Sequence, residues 1–228
     1  AAQAADHDTS YAEAYGLIGT LAAGQAYLPI AAQALLLRGQ VASEDSLAHA
    51  LLRLTQERGA QKKQDITLGA DCLGRCEKLE PGRYPRVRVD QARLALLLGE
   101  FDIAGGLWRA LLTQEPGVVG HAEELYTVYR LEAALPPRKK GMVSVTPPRV
   151  VAAQRLERSL DPLATTAPDA ALIALLGWTR TEQNKVEPGL ADFRTAAKRD
   201  SLEWRARLNL AIDAIHRLDP PGAVDHLR

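Results

Sequence analysis

Apolar positions along this chain recur at helical spacing, with a small residue followed one turn later by a large one. Ala104 precedes Trp108, Gly189 precedes Phe193, Gly69 precedes Leu73, and Ala31, Ala152 and Ala223 precede Leu35, Leu156 and Leu227. The small residues are separated by 38, 35, 48, 37 and 34 residues. Apart from one longer interval, that is a period near 35, which marks stacked helical hairpins. A small residue lets two helices approach, and the large residue after it fills the groove between them. Punctuation agrees with this reading. Pro29, Pro188 and Pro220 sit where the second helix of a hairpin is predicted to begin, Asp219 is a predicted N-cap, and Gly39 is a predicted C-terminal glycine.

The stretch LGEFDIAGGLWRALLTQEP, residues 98–116, poses a choice. Its glycines could cradle a phosphate or punctuate a helix. No strand pattern precedes them and no lysine follows at the required place, so the phosphate loop fails. Gly99 reads as a turn, Phe101 and Trp108 as core, Ala104 as a close-packing position and Pro116 as a stop. Gly105 and Gly106 then stand inside a helix, where each costs up to about 1 kcal/mol relative to Ala. Either a neighbouring backbone comes very close there or the helix is soft.

These stretches, with LIALLGWTRTEQNKVEPGLADFRTAA (residues 172–197) and AEAYGLIGTLAAGQAYLPIAAQAL (residues 12–35), resemble the tetratricopeptide repeat (TPR) family in divergent form. The unit ending at Pro116 lacks the leading aromatic, Ser201 stands where the family has Pro, and residues 40–81 match only in a second helix. The resemblance implies an all-α chain, an α-solenoid of about six antiparallel hairpins wound as a right-handed superhelix. Residues 12–228 are expected to form one domain after a flexible N-terminus at 1–11. Composition agrees, since Ala and Leu dominate the 46% hydrophobic residues and aromatics are only 5%.

Charge and chemistry narrow the function. The 28 basic and 28 acidic residues cancel, so the whole chain has no bias towards nucleic acid or a membrane surface. No apolar run reaches the roughly 18 residues that span a bilayer. Cys72 and Cys76, four residues apart, lack the further ligands of a zinc site, and Cys76 falls where the repeat places a small core residue, so both read as buried hydrophobes. His7, His49, His121, His216 and His226 show no ligand spacing, and Glu123 and Glu124, being adjacent, point apart on a helix. No nucleophile or metalloprotease motif occurs. No enzyme activity, cofactor or metal is expected.

In the TPR family the first helix of each hairpin lines a concave groove. Mapped here, that face holds Arg86, Arg93, Glu123, Thr127, Arg130, Trp178, Glu182 and Arg205. Basic groups predominate toward its middle, which predicts a protein or peptide partner of acidic character held by arginines and anchored on Trp178. The segment 136–148, with Pro136-Pro137 and Pro147-Pro148 at its ends and Arg138, Lys139 and Lys140 within, interrupts the repeat as an extended insert. It is either a basic hook for a partner or a solvated connector. The reading is therefore a non-catalytic scaffold or adaptor, such as an assembly factor of a bacterial envelope, pilus or secretion complex. The alternative is a regulatory or substrate-positioning TPR domain of a larger enzyme. The opening AAQAADHDTS is expected where an A-x-A-type leader has been removed or a longer chain cut, which favours an exported or periplasmic compartment over the cytoplasm without deciding it. The ending AVDHLR stops inside an apparent helix and is expected to run on.

Overall fold

Helical periodicity is realised along most of the described chain. A computed structural model describes residues 10–38, 44–136, 146–166 and 168–227, and among them there is no strand. Eleven helices follow in order: α1 (Ser10–Arg38), α2 (Glu44–Gln61), α3 (Lys63–Leu79), α4 (Pro85–Leu97), α5 (Phe101–Gln114), α6 (Val119–Ala133), α7 (Pro148–Thr166), α8 (Ala170–Glu182), α9 (Val186–Arg199), α10 (Trp204–His216) and α11 (Pro220–Leu227). They stack as an α-solenoid of hairpins, as the repeat spacing predicts. The close pairs are α4 with α5, α6 with α7, α8 with α9, α10 with α11, and α1 with α3. Each pair packs on the next, and one continuous core runs through the middle of the stack, from Leu52 and Leu96 through Trp108, Leu125 and Leu156 to Leu176.

The local signals explain the joins. Gly99 turns the chain at φ +77° between α4 and α5, a conformation that costs glycine nothing. Asp169 caps α8 by accepting from the amides of Ala171 and Leu172 at 2.9 and 3.3 Å. Asp219 caps α11, accepting from the Gly222 amide at 3.1 Å, and Pro220 is the first helical residue. Pro188 lies in the first turn of α9. Ala104 and Trp108 are both buried, as the small-then-large rule requires.

Within the α8–α9 hairpin, two glycines bring the backbones together. A Cβ at Gly177 would lie 2.9 Å from the Gly189 carbonyl oxygen, and one at Gly189 would lie 2.7 Å from that of Gly177. Phe193, four residues after Gly189, fills the groove beside them with 1% exposure. The same device joins α1 to α3. A Cβ at Gly19 would lie 2.9 Å from the Gly69 carbonyl oxygen, and Leu73 takes the place of Phe193. Gly177 and Gly189 are 12 residues apart, however, whereas Gly19 and Gly69 are 50 apart.

The extra length corrects the reading of residues 12–35 as a complete hairpin. Pro29 does not begin a second helix. It lies inside α1, which runs unbroken from Ser10 to Arg38. A proline there cannot donate to the Gln25 carbonyl one turn back. Arg58 of α2 supplies the missing donor, its Nη2 donating to the Gln25 carbonyl at 2.8 Å and its Nε to the Ala26 carbonyl at 3.4 Å. The second half of α1 and all of α2 are thus inserted between the two helices of the first hairpin. α2 packs on α1, α4, α6 and α7, and touches its sequence neighbour α3 little. Gly59 sets that approach, since a Cβ there would lie 2.1 Å from the Leu97 carbonyl oxygen at the end of α4.

Three expectations fall wholly or partly outside the described residues: the C-terminal glycine Gly39, the mobility of the N-terminus before Ser10, and the insert. Of the segment 136–148 only Pro136 and residues 146–148 are described, so Arg138, Lys139 and Lys140 are not placed. The close backbone expected as one explanation of Gly105 and Gly106 is not found. A Cβ at Gly105 would meet side-chain atoms of Tyr129, Val128 and Arg109 at 3.7–3.8 Å, ordinary contact distances, and one at Gly106 only Arg109 at 4.0 Å.

Candidate functional site

First helices α4, α6, α8 and α10 present one side to a common cavity, and the insertion closes it. The cavity has a volume of ≈ 960 Å³. Leu131, Leu96, Ala174 and Leu175 are among its apolar lining residues, and Tyr27 and Ile30 of α1 with Leu47, Ala48, Leu51 and Thr55 of α2 form the wall that the insertion supplies. Of the residues expected on the concave face, Glu123, Thr127, Arg130, Trp178, Glu182 and Arg205 line this cavity together. Arg93 and Arg86 do not. Arg86 has a side-chain exposure of 72% and reaches Asp90 on its own helix at 3.5 Å.

Aromatic rings define the cavity more than charge does. Trp178 stands edge-on to Tyr126, with centroids 4.8 Å apart and planes at 82°, a favourable quadrupolar arrangement. Trp204, at the start of α10, is 60% exposed and carries the Arg205 guanidinium 4.7 Å from its ring centroid. Tyr27 reaches across from α1, and its hydroxyl donates to Glu124 Oε2 at 2.7 Å. Burial and the adjoining carboxylate push the Tyr27 phenol far up from its usual value, so it stays a protonated donor.

The expected basic character of the groove does not hold. Its lining carries Glu123, Glu124 and Glu182 against Arg130 and Arg205. Arg205 is engaged by Glu123 at 3.1 Å and Glu203 at 3.7 Å. Arg93 lies over the Tyr27 ring at 5.1 Å and between Asp90 and Glu124, each at 3.5 Å. Arg130 is 8% exposed, with its guanidinium 5.5 Å from the Tyr126 ring centroid. Arg93 and Arg205, two of the arginines identified by helix-face mapping, hold helices together, which a one-dimensional pattern does not distinguish from arginines that wait for a ligand.

Behind the cavity, a second polar cluster ties α7, α8 and α9. Arg180 donates to Glu157 at 3.1 Å, to Asp161 at 2.7 Å and through Nη1 to both Asp192 oxygens at 2.8 and 2.9 Å. Lys185 and Gln183 add bonds to Glu157 at 2.7 and 2.8 Å. Burial acts to raise the Glu157 carboxyl, but these three donors outweigh it and hold the group below its ordinary value. Cys72 and Cys76 are buried and unbonded to each other, and burial pushes both thiols up, the state of inert core cysteines. Among the described residues no group of three or more His, Cys, Asp or Glu is placed to hold a metal ion, and no helix is long and apolar enough to cross a membrane.

Sequence reasoning missed Tyr27, Leu51 and Trp204. The first two belong to the insertion, which Pro29 and the Ala31-to-Leu35 spacing disguise as the second helix of a hairpin.

The chain is thus an all-α solenoid of TPR-like hairpins whose concave side encloses a cavity. No family model matches it, and no curated protein matches it. Among solved structures, "MamA 41-end from Desulfovibrio magneticus RS-1" is similar, with a TM-score of 0.44 and 16% identity over 79% of this chain and 91% of that one. A likeness of that size carries nothing about function, and the fold class rests on this chain's own helix packing.

Proposed function

We propose that the protein is a non-catalytic interaction scaffold that binds a segment of a partner protein in the concave cavity. The observation that supports it is the convergence of Trp178, Tyr126 and Trp204, from three successive hairpins, on one space with an apolar floor. Binding hot spots concentrate on such aromatic anchors. Because Arg93 and Arg205 are already engaged by carboxylates, the partner is recognised mainly through apolar and aromatic side chains, with acidic character secondary. The role of an assembly factor in a bacterial envelope, pilus or secretion complex is the narrower form of this proposal.

Trp204 provides the test, since it is exposed and its loss leaves the core intact. Proteins captured from the source cell by the unaltered chain are expected to be lost with Trp204→Ala combined with Thr127→Arg, at unchanged helicity. An undiminished capture by that variant would sink the reading.

A further inference from the structure

Glu123 and Glu124 stand at the middle of the stack, on α6 of the third of the five described hairpins. Adjacent residues on a helix point apart, and these two reach in opposite directions along the chain. Glu124 accepts from the Tyr27 hydroxyl of α1, two hairpins back, at 2.7 Å. Glu123 accepts from Arg205 Nη2 of α10, two hairpins forward, at 3.1 Å. All four residues line the cavity. α6 and α10 each pack on α8, so the Glu123–Arg205 bond spans the helix that carries Trp178.

The curvature of a solenoid follows from a small rotation at each repeat. A bond between alternate hairpins on the concave side limits two such rotations at once. The two bonds that do this here differ in kind. The Tyr27–Glu124 bond has an uncharged, largely buried donor, and the Glu124 side chain is 23% exposed. The Glu123–Arg205 bond is an ion pair whose side chains are 54% and 27% exposed. Such a pair is weak and is loosened by salt. Arg205 keeps Glu203 at 3.7 Å and the Trp204 ring at 4.7 Å when Glu123 lets go, so its release leaves no orphaned charge.

We infer that Glu123 and Glu124 clasp the two ends of the solenoid around the cavity, and that the Glu123–Arg205 half is a latch whose release lets the α10–α11 hairpin swing outward and widens the mouth. The Tyr27–Glu124 half is the fixed side. Entry to the cavity then depends on ionic strength although much of the surface that a partner meets inside is apolar. The importance of the latch rests on the proposed partner site, but its test needs no partner.

That test follows Trp178 with acrylamide, an uncharged quencher, in a Trp204→Phe background, where the other tryptophan, Trp108, is 2% exposed. Phenylalanine keeps a ring beside Arg205. Between about 0.01 and 1 M salt the screening length falls from about 30 to about 3 Å. Over that range the open fraction is expected to rise about two- to fivefold, the scale of an exposed ion pair, and Trp178 quenching to rise with it. Glu123→Gln and Arg205→Gln are each expected to show the high-salt quenching already at low salt, and together to add nothing further. Tyr27→Phe is expected to keep the salt dependence. Circular dichroism checks that each variant keeps its helicity. Quenching that ignores salt in the Trp204→Phe parent overturns the inference. So does a salt dependence that persists in Glu123→Gln, or additive effects of the two glutamine substitutions. Each of these failures leaves the scaffold reading to its own capture experiment.

Discussion

The first and fourth hairpins are built on the same crossing of two glycine backbones, yet one closes with a tight turn and the other across an extra helix and a half. In α8–α9 the chain turns at Asn184, with φ +62°. In α1–α3 it leaves along α1, returns through α2, and only then lays Gly69 against Gly19. The difference teaches that the hairpin is specified by its close-packing positions and not by its connection. A connection freed from that duty can take another, and here it walls the cavity.

Four changes would break or sharpen this comparison. The largest effect is expected at the crossings. Gly19→Val and Gly177→Val each press a side chain into a neighbouring helix backbone, and each should destabilise by ~1–3 kcal/mol in urea unfolding. Gly74→Ala in α3, where a Cβ would meet nothing within 4 Å, should not. Equal losses at both crossings support a shared device, while a loss at Gly177 alone would dissolve the comparison.

Next comes the anchor of the insertion. Arg58→Ala leaves the Gln25 carbonyl without a donor and should cost about 1 kcal/mol. In a Pro29→Ala background the helix supplies that donor itself, and the cost should shrink. Additive losses in the double-mutant cycle would refute the coupling.

Gly106→Ala should move stability the other way, raising it by up to about 1 kcal/mol, because the added methyl meets only open space and an arginine tip. This outcome in thermal unfolding would show that α5 is softer than its packing demands.

The smallest effect is on pH dependence. Glu157 titrates lower in the fold than in the open chain, so its stabilising contribution is complete above pH 4.5. That contribution is lost as pH falls through the depressed folded value. Glu157→Gln should therefore flatten the acid limb of the stability profile, with Arg180, Lys185, Asp161 and Asp192 unchanged around it. A limb as steep as before would show that Glu157 does not carry it.

Much of the fold was legible because repeat packing writes itself as spacing. Ala104 and Trp108, Gly189 and Phe193, and the cap at Asp219 all sit where one-turn arithmetic places them. Six of the eight concave-face residues came together for the same reason, since a helix face is a local property. The insertion was not legible. Pro29 carries the local mark of a helix start, and only the distant Arg58 makes its place in a helix interior tolerable. The electrostatics of the groove were misread in the same way, because Glu124 and Glu123, which engage Arg93 and Arg205, come from another helix.

The long detour between Gly19 and Gly69 also orders events in time. Bringing together segments 50 residues apart instead of 12 costs about 1.2 kcal/mol more in chain entropy before any contact repays it. Contacts that are distant in sequence form late in folding. The hairpin that leaves the ribosome before the four after it is thus the one that closes last, and until α2 docks, the cavity has no wall on that side.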